Sequence, residues 1–164
     1  MATIGTLERV SAATLSKLIL GAQEAAAAGD PTLAIIDVRD DDYIGGHIKG
    51  SQNVPSRTLD AMLPTLVRQL QDKETVVFHC ALSQQRGPGA ALRYMRERER
   101  FVAALKSKEK SGKDASEQGD DQTPTVPDQK ILVLDRGFVG WQEAYGTDER
   151  LTEGYRKELW EEGY

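Results

Sequence analysis

Short runs of consecutive apolar residues alternate along the chain with longer segments in which apolar residues recur at helical spacing. The apolar runs are residues 33–39, 75–79 and 130–134, and each is rich in Val, Ile or Leu. Runs of this length are typical of strands buried on both faces of a parallel sheet. Residues 52–54 form a shorter candidate strand, which Pro55 ends.

Four further segments have the pattern of helices. The first is rich in Ala and Leu and has Ser11 at the N-cap position. The second repeats Leu, Met and Val at helical spacing, and the third carries Pro88 in its first turn, where proline is well tolerated. The segments are residues 11–29, 56–71, 88–105 and a turn into a helix at 137–141, and residues 151–160 close the chain.

Strands that alternate with helices predict an α/β domain with a central parallel sheet. Residues 106–129 interrupt this pattern, because they are almost entirely Lys, Ser, Gly, Asp, Glu, Gln, Thr and Pro. Such a composition cannot bury much surface, so we predict a flexible insertion there. The chain of 164 residues is long enough for one full core, and we expect a single domain over residues 1–164.

Composition narrows the classes of protein to which the chain can belong. Hydrophobic residues make up 39% and charged residues 29%, as in ordinary soluble proteins, and we expect neither a membrane span nor a secretory signal. The net charge of −5 argues against general nucleic-acid binding. One cysteine cannot form an internal disulfide, so a reducing compartment is expected, the cytoplasm and also the nucleus. The sequence does not indicate an oligomeric state.

The single cysteine, Cys80, follows the apolar run at 75–79 and precedes five residues, Arg86 and a Gly-Pro pair that opens a helix. The strand delivers the thiol to a sheet edge, and backbone N–H groups of the short loop can curl around one point. An arginine fork suits a tetrahedral oxyanion, and the helix adds the positive end of its dipole. Because all three effects favour the nucleophilic thiolate, we interpret Cys80 as an attacking group aimed at a phosphate-like anion.

A lone cysteine elsewhere is usually a small buried hydrophobe, but this context favours catalysis. We predict Cys80 and Arg86 as catalytic residues, with Arg86 holding two oxygens in the transition state. Ser83 either donates to the thiolate or shapes the turn, and His79 is expected to be buried and to fix the loop backbone. Gly87 permits a tight start of the helix. The predicted substrate-binding residues are Ala81, Leu82, Ser83, Gln84, Gln85 and Arg86.

The chemistry that this loop suggests needs no metal and no cofactor. The thiolate attacks phosphorus to give a phosphocysteine, which water then hydrolyses. No His, Cys or acidic cluster has the spacing of metal ligands, so we predict no metal site. The leaving oxygen requires a general acid, which no motif identifies. The acidic run at 40–42 lies in a loop that could approach, and we interpret it as solvated.

Three motifs in the same order resemble the rhodanese superfamily. Residues 35–55, with Ile-Ile-Asp-Val-Arg and Gly-Gly-His-Ile, resemble its first signature, and residues 79–88 resemble the active-site loop of its phosphatase branch, the cell-cycle dual-specificity phosphatases. Residues 137–141 match a glycine–tryptophan segment near the end of that domain. The resemblance implies a rhodanese-like three-layer domain, with a central, mostly parallel five-stranded sheet flanked by helices. It also implies that Asp37 and Arg39 organise the domain near the active-site face.

Loop length separates the branches of this superfamily. Sulfurtransferases of the fold carry a loop one residue shorter, whereas five residues between Cys80 and Arg86 suit phosphate or arsenate. The resemblance therefore implies a cysteine-dependent phosphatase of the tyrosine or dual-specificity type, similar to the small stand-alone fungal enzymes. Its partner would be a phosphorylated protein or a small oxyanion. Two alternatives stay open: an arsenate reductase that uses glutathione and glutaredoxin, which a single cysteine permits, and a non-catalytic rhodanese-like binding module.

Overall fold

The computed structural model describes residues 6–27, 32–111 and 128–161, in which strands alternate with helices. The strands that the apolar runs predict are present at the expected places, and so are the four helices. None of the described helices is both long enough and apolar enough to cross a membrane. The elements in chain order are β1 (Glu8–Val10), α1 (Ala12–Ala27), β2 (Leu33–Asp37), β3 (His47–Ile48), β4 (Gln52–Asn53), a 3₁₀ turn (Ser56–Thr58), α2 (Leu59–Gln69), β5 (Thr75–His79), α3 (Arg86–Ser111), β6 (Lys130–Leu134), α4 (Gly137–Tyr145), β7 (Thr152–Glu153) and α5 (Lys157–Glu161).

Five strands form one sheet in the order β1–β6–β5–β2–β4, and every pair of neighbours is parallel. The predicted five-stranded sheet is therefore confirmed. Strands β2 and β5 are in register from Leu33 opposite Thr75 to Asp37 opposite His79. Strands β3 and β7 form a separate antiparallel pair that the sequence did not predict.

Alternate side chains of the central strands supply two separate cores, as strand geometry requires. Val76 and Phe78 of β5 lie in a core shared with α2 and α3. Val77, between them, lies in the opposite core with residues of α1 and α4, including Trp141. The two cores give the three-layer arrangement that was predicted. Trp141 is fully buried and donates to Thr152 Oγ1, so it is a core residue.

Helix α3 is longer than predicted. It begins at Arg86 instead of residue 88 and continues to Ser111, so residues 106–111 are helical and do not belong to a flexible insertion. Lys and Glu are good helix formers, so a helix that has already formed can continue through this part of the sequence. Residues 112–127, the rest of the predicted insertion, lie outside the described residues.

Residues 128 and 129, at the C-terminal end of the predicted insertion, belong to the described part of the chain. The Gln129 side chain accepts a hydrogen bond from Tyr94 Oη at 2.8 Å and donates to the carbonyl oxygens of Leu70 and Lys73 at 2.8 and 3.1 Å. These three bonds fix the entry into β6.

At the other end of the domain, the Ser11 N-cap is confirmed, because its Oγ accepts the Thr14 N–H at 3.1 Å.

A buried ion pair lies at the carboxyl end of β2. Asp37 and Arg39 are both fully buried, and the Arg39 guanidinium donates to both carboxylate oxygens, with the shortest contact 2.7 Å from Nη2 to Oδ2. The other donors of Arg39 reach the carbonyl oxygens of Ile44 and Gly46 at 3.4 and 2.9 Å. The pair therefore ties the loop after β2 to the edge of the sheet, as the resemblance implied for these two residues.

Aromatic and amide groups complete the surroundings of this pair. The Arg39 guanidinium carbon lies 4.4 Å from the ring centroid of Phe138 and 5.0 Å from that of Tyr43. Such cation–π contacts strengthen when water is excluded. The Asn53 amide donates to the carbonyl oxygens of Asp37 and Arg39, both at 3.0 Å, and so holds β4 against the same turn.

We expect Asp37→Asn to lower the free energy of unfolding by about 3–5 kcal/mol, because it leaves a buried guanidinium without its counter-charge. Urea denaturation followed by circular dichroism measures the change. The matched control is Glu143→Gln, which removes an exposed ion pair of similar length, 2.9 Å to Arg136, and should cost less than about 1 kcal/mol. Equal small losses in both variants would contradict the structural role assigned to Asp37.

Candidate active site

The sheet topology brings two loops together at one edge. Strand β2 ends at Asp37 and β5 ends at His79, directly opposite in register. The chain leaves β2 toward β4 on one side, whereas β5 and β6 lie on the other side of β2. Crevices at such a switch point, outside the carboxyl ends of parallel strands, are where α/β sheets bind ligands. The loop after β2 and the loop after β5 meet at this crevice.

The loop after β5 lines an open cavity of about 250 Å³. Cys80 is 3% exposed and belongs to the lining of this cavity. The structure thus brings together all but one of the residues that the sequence predicted for this site. The lining residues are Cys80, Ala81, Leu82, Gln84, Gln85 and Arg86.

Ser83 is the exception and has a different place in the loop. It is fully buried, its backbone is in the left-handed region with φ of 56°, and its N–H donates to Cys80 Sγ at 3.3 Å. Its hydroxyl has no hydrogen-bond partner among the described residues. Of the two roles considered for Ser83, shaping the turn is therefore the one that the geometry supports, and the donor to sulfur is the backbone.

The first turn of α4 holds the cysteine loop from behind. The N–H groups of Phe138 and Val139 donate to the carbonyl oxygens of Cys80 and Ala81 at 3.0 and 2.9 Å. Gly137 makes this approach possible, because it has φ of 55° and a Cβ atom there would lie 2.5 Å from both carbonyl oxygens. The sequence marked the glycine–tryptophan segment only through a resemblance, and its direct contact with the cysteine loop was not predicted.

Gly87 permits the tight start of the helix that was expected, and the structure gives the reason. It does not have a positive φ, but a Cβ atom there would lie 3.2 Å from His79 Cα and 3.3 Å from the Cys80 backbone nitrogen. Glycine therefore allows the start of α3 to pack closely against the end of β5. Close approach, and not conformational freedom, explains this residue.

Arg9, in β1, makes a second contact with the cysteine loop that the sequence did not predict. Its Nη1 donates to the carbonyl oxygen of Ser83 at 3.2 Å and lies 3.4 Å from Asp135 Oδ1. The apex of the cysteine loop is thus tied to the first strand of the chain. No local signal in residues 8–10 could reveal this, because the two partners are 74 positions apart.

His79 is buried behind the loop, as predicted. Its Nδ1 lies 3.1 Å from the carbonyl oxygen of Cys80, which can only accept, so Nδ1 carries the proton. Its Nε2 lies 3.7 Å from Asp37 Oδ2 and has no hydrogen-bond partner among the described residues. Burial lowers the pKa of His79, and this outweighs the opposing effect of the Asp37 charge. The neutral Nδ1–H form therefore fixes the loop backbone.

Arg86 does reach the cavity, but its guanidinium is bound by carboxylates from the loop after β2. Nη1 and Nη2 donate to the two oxygens of Asp42 at 2.9 and 2.6 Å, and Nη1 also donates to Asp40 Oδ2 at 3.2 Å. Asp41, between them, has an 89% exposed side chain and pairs with Arg57. The interpretation of the acidic run as solvated therefore holds for Asp41 alone. Parallel strands place the other two carboxylates beside the arginine.

These contacts shift the ionisation of all three groups. Hydrogen bonding from Arg86 lowers the pKa of Asp42 to about 2. Burial raises the pKa of Asp40, but hydrogen bonds from Ser56, from the Arg57 N–H and from Arg86 outweigh it, and the pKa is lowered. The hydrogen bond to Asp42 raises the pKa of Arg86 above its usual value. All three groups are therefore charged at neutral pH.

The described residues contain no group of three or more His, Cys, Asp or Glu that could hold a metal ion. The cavity instead combines a thiol, a backbone N–H on that thiol and an arginine fork. These groups suit a nucleophile and an oxyanion more than a metal.

Comparison with known proteins gives a consistent result. A family model for the rhodanese-like domain matches residues 21–144. The chain is 42% identical over 120 residues to arsenate reductase 2.1 of rice, Oryza sativa subsp. japonica, a match that covers 72% of this chain and 61% of that protein. It is 39% identical over 123 residues to dual specificity phosphatase ibp1 of Schizosaccharomyces pombe, which covers 74% and 83%. The match thus spans less than two thirds of the rice protein.

A solved structure agrees over almost the whole chain. A yeast protein tyrosine phosphatase of the rhodanese family superposes with a TM-score of 0.68 at 29% identity, covering 98% of this chain and 99% of that one. The curated relatives therefore include both Cdc25-like phosphatases and arsenate reductases.

We expect Gly137→Ala to lower the free energy of unfolding by at least about 2 kcal/mol, because it adds backbone strain to a clash with two carbonyl oxygens. Gly50→Ala is the matched control, since Gly50 also has a positive φ, of 84°, but a Cβ atom there meets nothing within 4 Å. Thermal unfolding of the two variants separates the clash from the strain. Equal destabilisation would contradict the close contact between α4 and the cysteine loop.

The lowered pKa of His79 predicts a dependence of stability on pH. The unfolded chain takes up a proton as the pH falls through 6.5, the ordinary value, whereas folded His79 does not until a lower pH. The free energy of unfolding should therefore fall between pH ~7.5 and ~5.5 more steeply in the wild type than in His79→Asn. His47→Asn, which removes the other histidine, is the control. It should keep the part of the pH dependence of the unfolding free energy that His79 causes. Parallel profiles for wild type and His79→Asn would contradict this assignment.

Proposed function

The chain belongs to the family of rhodanese-like domains, and on that basis we propose that it is a cysteine-dependent phosphatase of the tyrosine or dual-specificity type. The observation that carries the proposal is the cavity in which Cys80 and Arg86 lie together at the end of β5. The substrate would be a phosphate monoester, on a protein or on a smaller molecule. A binding module that has lost its activity would not need to keep both residues.

The proposed reaction has two steps. Cys80 Sγ attacks phosphorus, an S–P bond forms, and the P–O bond to the alcohol or phenol breaks while the leaving oxygen gains a proton. Water then attacks the phosphocysteine, which releases inorganic phosphate and restores the thiol. The Ser83 N–H, 3.3 Å from Sγ, would donate a hydrogen bond to the sulfur when it attacks and again when it leaves phosphorus. The Arg86 fork would hold two equatorial oxygens of the transferred group.

Arsenate reduction is the second candidate, and the 42% sequence identity to the rice arsenate reductase over 120 residues supports it. The same thiolate would attack arsenic, and the As–O bond would break with release of water. A glutathione thiol would then attack the Cys80 sulfur, which breaks the S–As bond, releases arsenite and leaves a disulfide between Cys80 and glutathione. A second external thiol, such as that of glutaredoxin, would reduce this disulfide, because the chain has one cysteine and cannot resolve the intermediate internally. The near-complete overlap with a tyrosine phosphatase supports the first candidate over this one.

The decisive measurement is steady-state hydrolysis of p-nitrophenyl phosphate, with arsenate turnover in glutathione and glutaredoxin measured in parallel. We expect Cys80→Ser to abolish hydrolysis and Arg86→Ala to lower kcat/KM by about 10²–10³-fold. Arg100→Ala is the matched control, an exposed arginine on the same helix about 20 Å away, and should leave the rate unchanged.

The two assays separate the candidates. Cysteine-dependent phosphate release without arsenate turnover would support the phosphatase, and arsenate turnover with little ester hydrolysis would replace it by the reductase. Silence in both assays, from a folded protein, would refute both enzymatic proposals in favour of a binding module.

A further inference from the structure

The Arg86 guanidinium already binds an anionic group in the structure, the carboxylate of Asp42. Its two terminal nitrogens meet the two oxygens of Asp42 at 2.9 and 2.6 Å, a bidentate arrangement. A phosphate or arsenate would use the same pair of N–H groups. The carboxylate and the oxyanion therefore cannot both hold the full fork of Arg86.

Asp40 and Asp42 differ in how firmly each is fixed. Asp40 is anchored by the Ser56 hydroxyl at 2.5 Å and the Arg57 N–H at 3.1 Å, in addition to Arg86. Asp42 accepts the Asp40 backbone N–H at 2.9 Å through Oδ1, and its side chain is 35% exposed beside the cavity. Rotation of the Asp42 side chain toward solvent would free the two N–H groups of Arg86 that it holds, whereas Asp40, fixed by its own neighbours, would keep its bond to Nη1.

We propose that Asp42 is a specificity-determining residue that competes internally with the substrate for the Arg86 fork. The inference rests on the proposed function, because it takes Arg86 to be the oxyanion ligand. Binding is then an exchange, in which the substrate replaces one carboxylate at the guanidinium. The low pKa of Asp42 means that this competitor is charged throughout the neutral pH range.

The exchange sets a requirement on the anion. A monocarboxylate has two oxygens and one negative charge, as the side chain of Asp42 has. Its binding to the guanidinium in place of Asp42 would therefore bring no gain in free energy. A tetrahedral dianion offers a second charge and further oxygens, which can reach N–H groups of the cysteine loop while two oxygens hold the fork. Asp42 would thus exclude carboxylates and admit phosphate or arsenate.

The test is calorimetric titration with inorganic phosphate, together with KM and kcat for p-nitrophenyl phosphate. Asp42→Asn keeps the acceptor for the Asp40 N–H but removes the charge, and we expect its Kd for phosphate to fall on the order of tenfold. KM should fall with it, and kcat should change by less than about threefold. Asp42→Ala, which removes the acceptor as well, should bind phosphate at least as tightly as Asp42→Asn. Asp41→Asn is the matched control and should behave as wild type.

Each outcome decides between this inference and the proposed function. Equal affinity for phosphate in wild type and both Asp42 variants, all folded by circular dichroism, would overturn the competition and leave the proposed function standing. A fall in kcat with unchanged KM would also overturn it, since Asp42 would then act in the chemical step. Absence of phosphate binding and of turnover in every variant would remove the oxyanion site, and with it both proposals.

Discussion

The buried ion pair between Asp37 and Arg39 governs how the loops at this edge of the sheet are arranged. Two charges have been taken out of water, which costs several kcal/mol for each ion unless every donor and acceptor finds a partner. The structure meets this demand through three bonds from the Arg39 guanidinium to Asp37 and two more to the carbonyl oxygens of Ile44 and Gly46. The requirement to satisfy Arg39 therefore determines the path of the loop after β2.

That path has consequences for the neighbouring loop. Phe138 of α4 packs on the Arg39 guanidinium at 4.4 Å, and its backbone N–H holds the Cys80 carbonyl oxygen. His79 occupies the space between Asp37 and the same carbonyl. The carbonyl oxygens of the cysteine loop are thus drawn toward the interior and α4, while the Ser83 N–H is directed at the sulfur. One buried pair orients both loops of the crevice.

The electrostatic balance of the crevice follows from the same arrangement. Because β2 and β5 are adjacent and parallel, the acidic loop after one strand meets the first turn of α3 after the other. Arg86 consequently pairs with the carboxylates of Asp40 and Asp42, and in the proposed function it would also bind the substrate beside Cys80. If the proposed function holds, this site would bind an oxyanion only by giving up an existing ion pair, and this would favour strongly charged ligands over weak ones.

Elements that depend on local information could be predicted from the order of amino acids alone. Apolar runs specified β2, β5 and β6, because a strand buried on both faces needs consecutive apolar residues, and the strand–cysteine–arginine–helix order specified the loop. Features that depend on partners far away in the chain became visible in the folded protein. Strand β1 has one buried residue, Val10, and forms because β6 is beside it. The contacts of Arg9 with Ser83, Gly137 with Cys80 and Asp42 with Arg86 join segments tens of residues apart. No spacing rule along the chain encodes such contacts, since it is the order of strands in the sheet that brings these residues together.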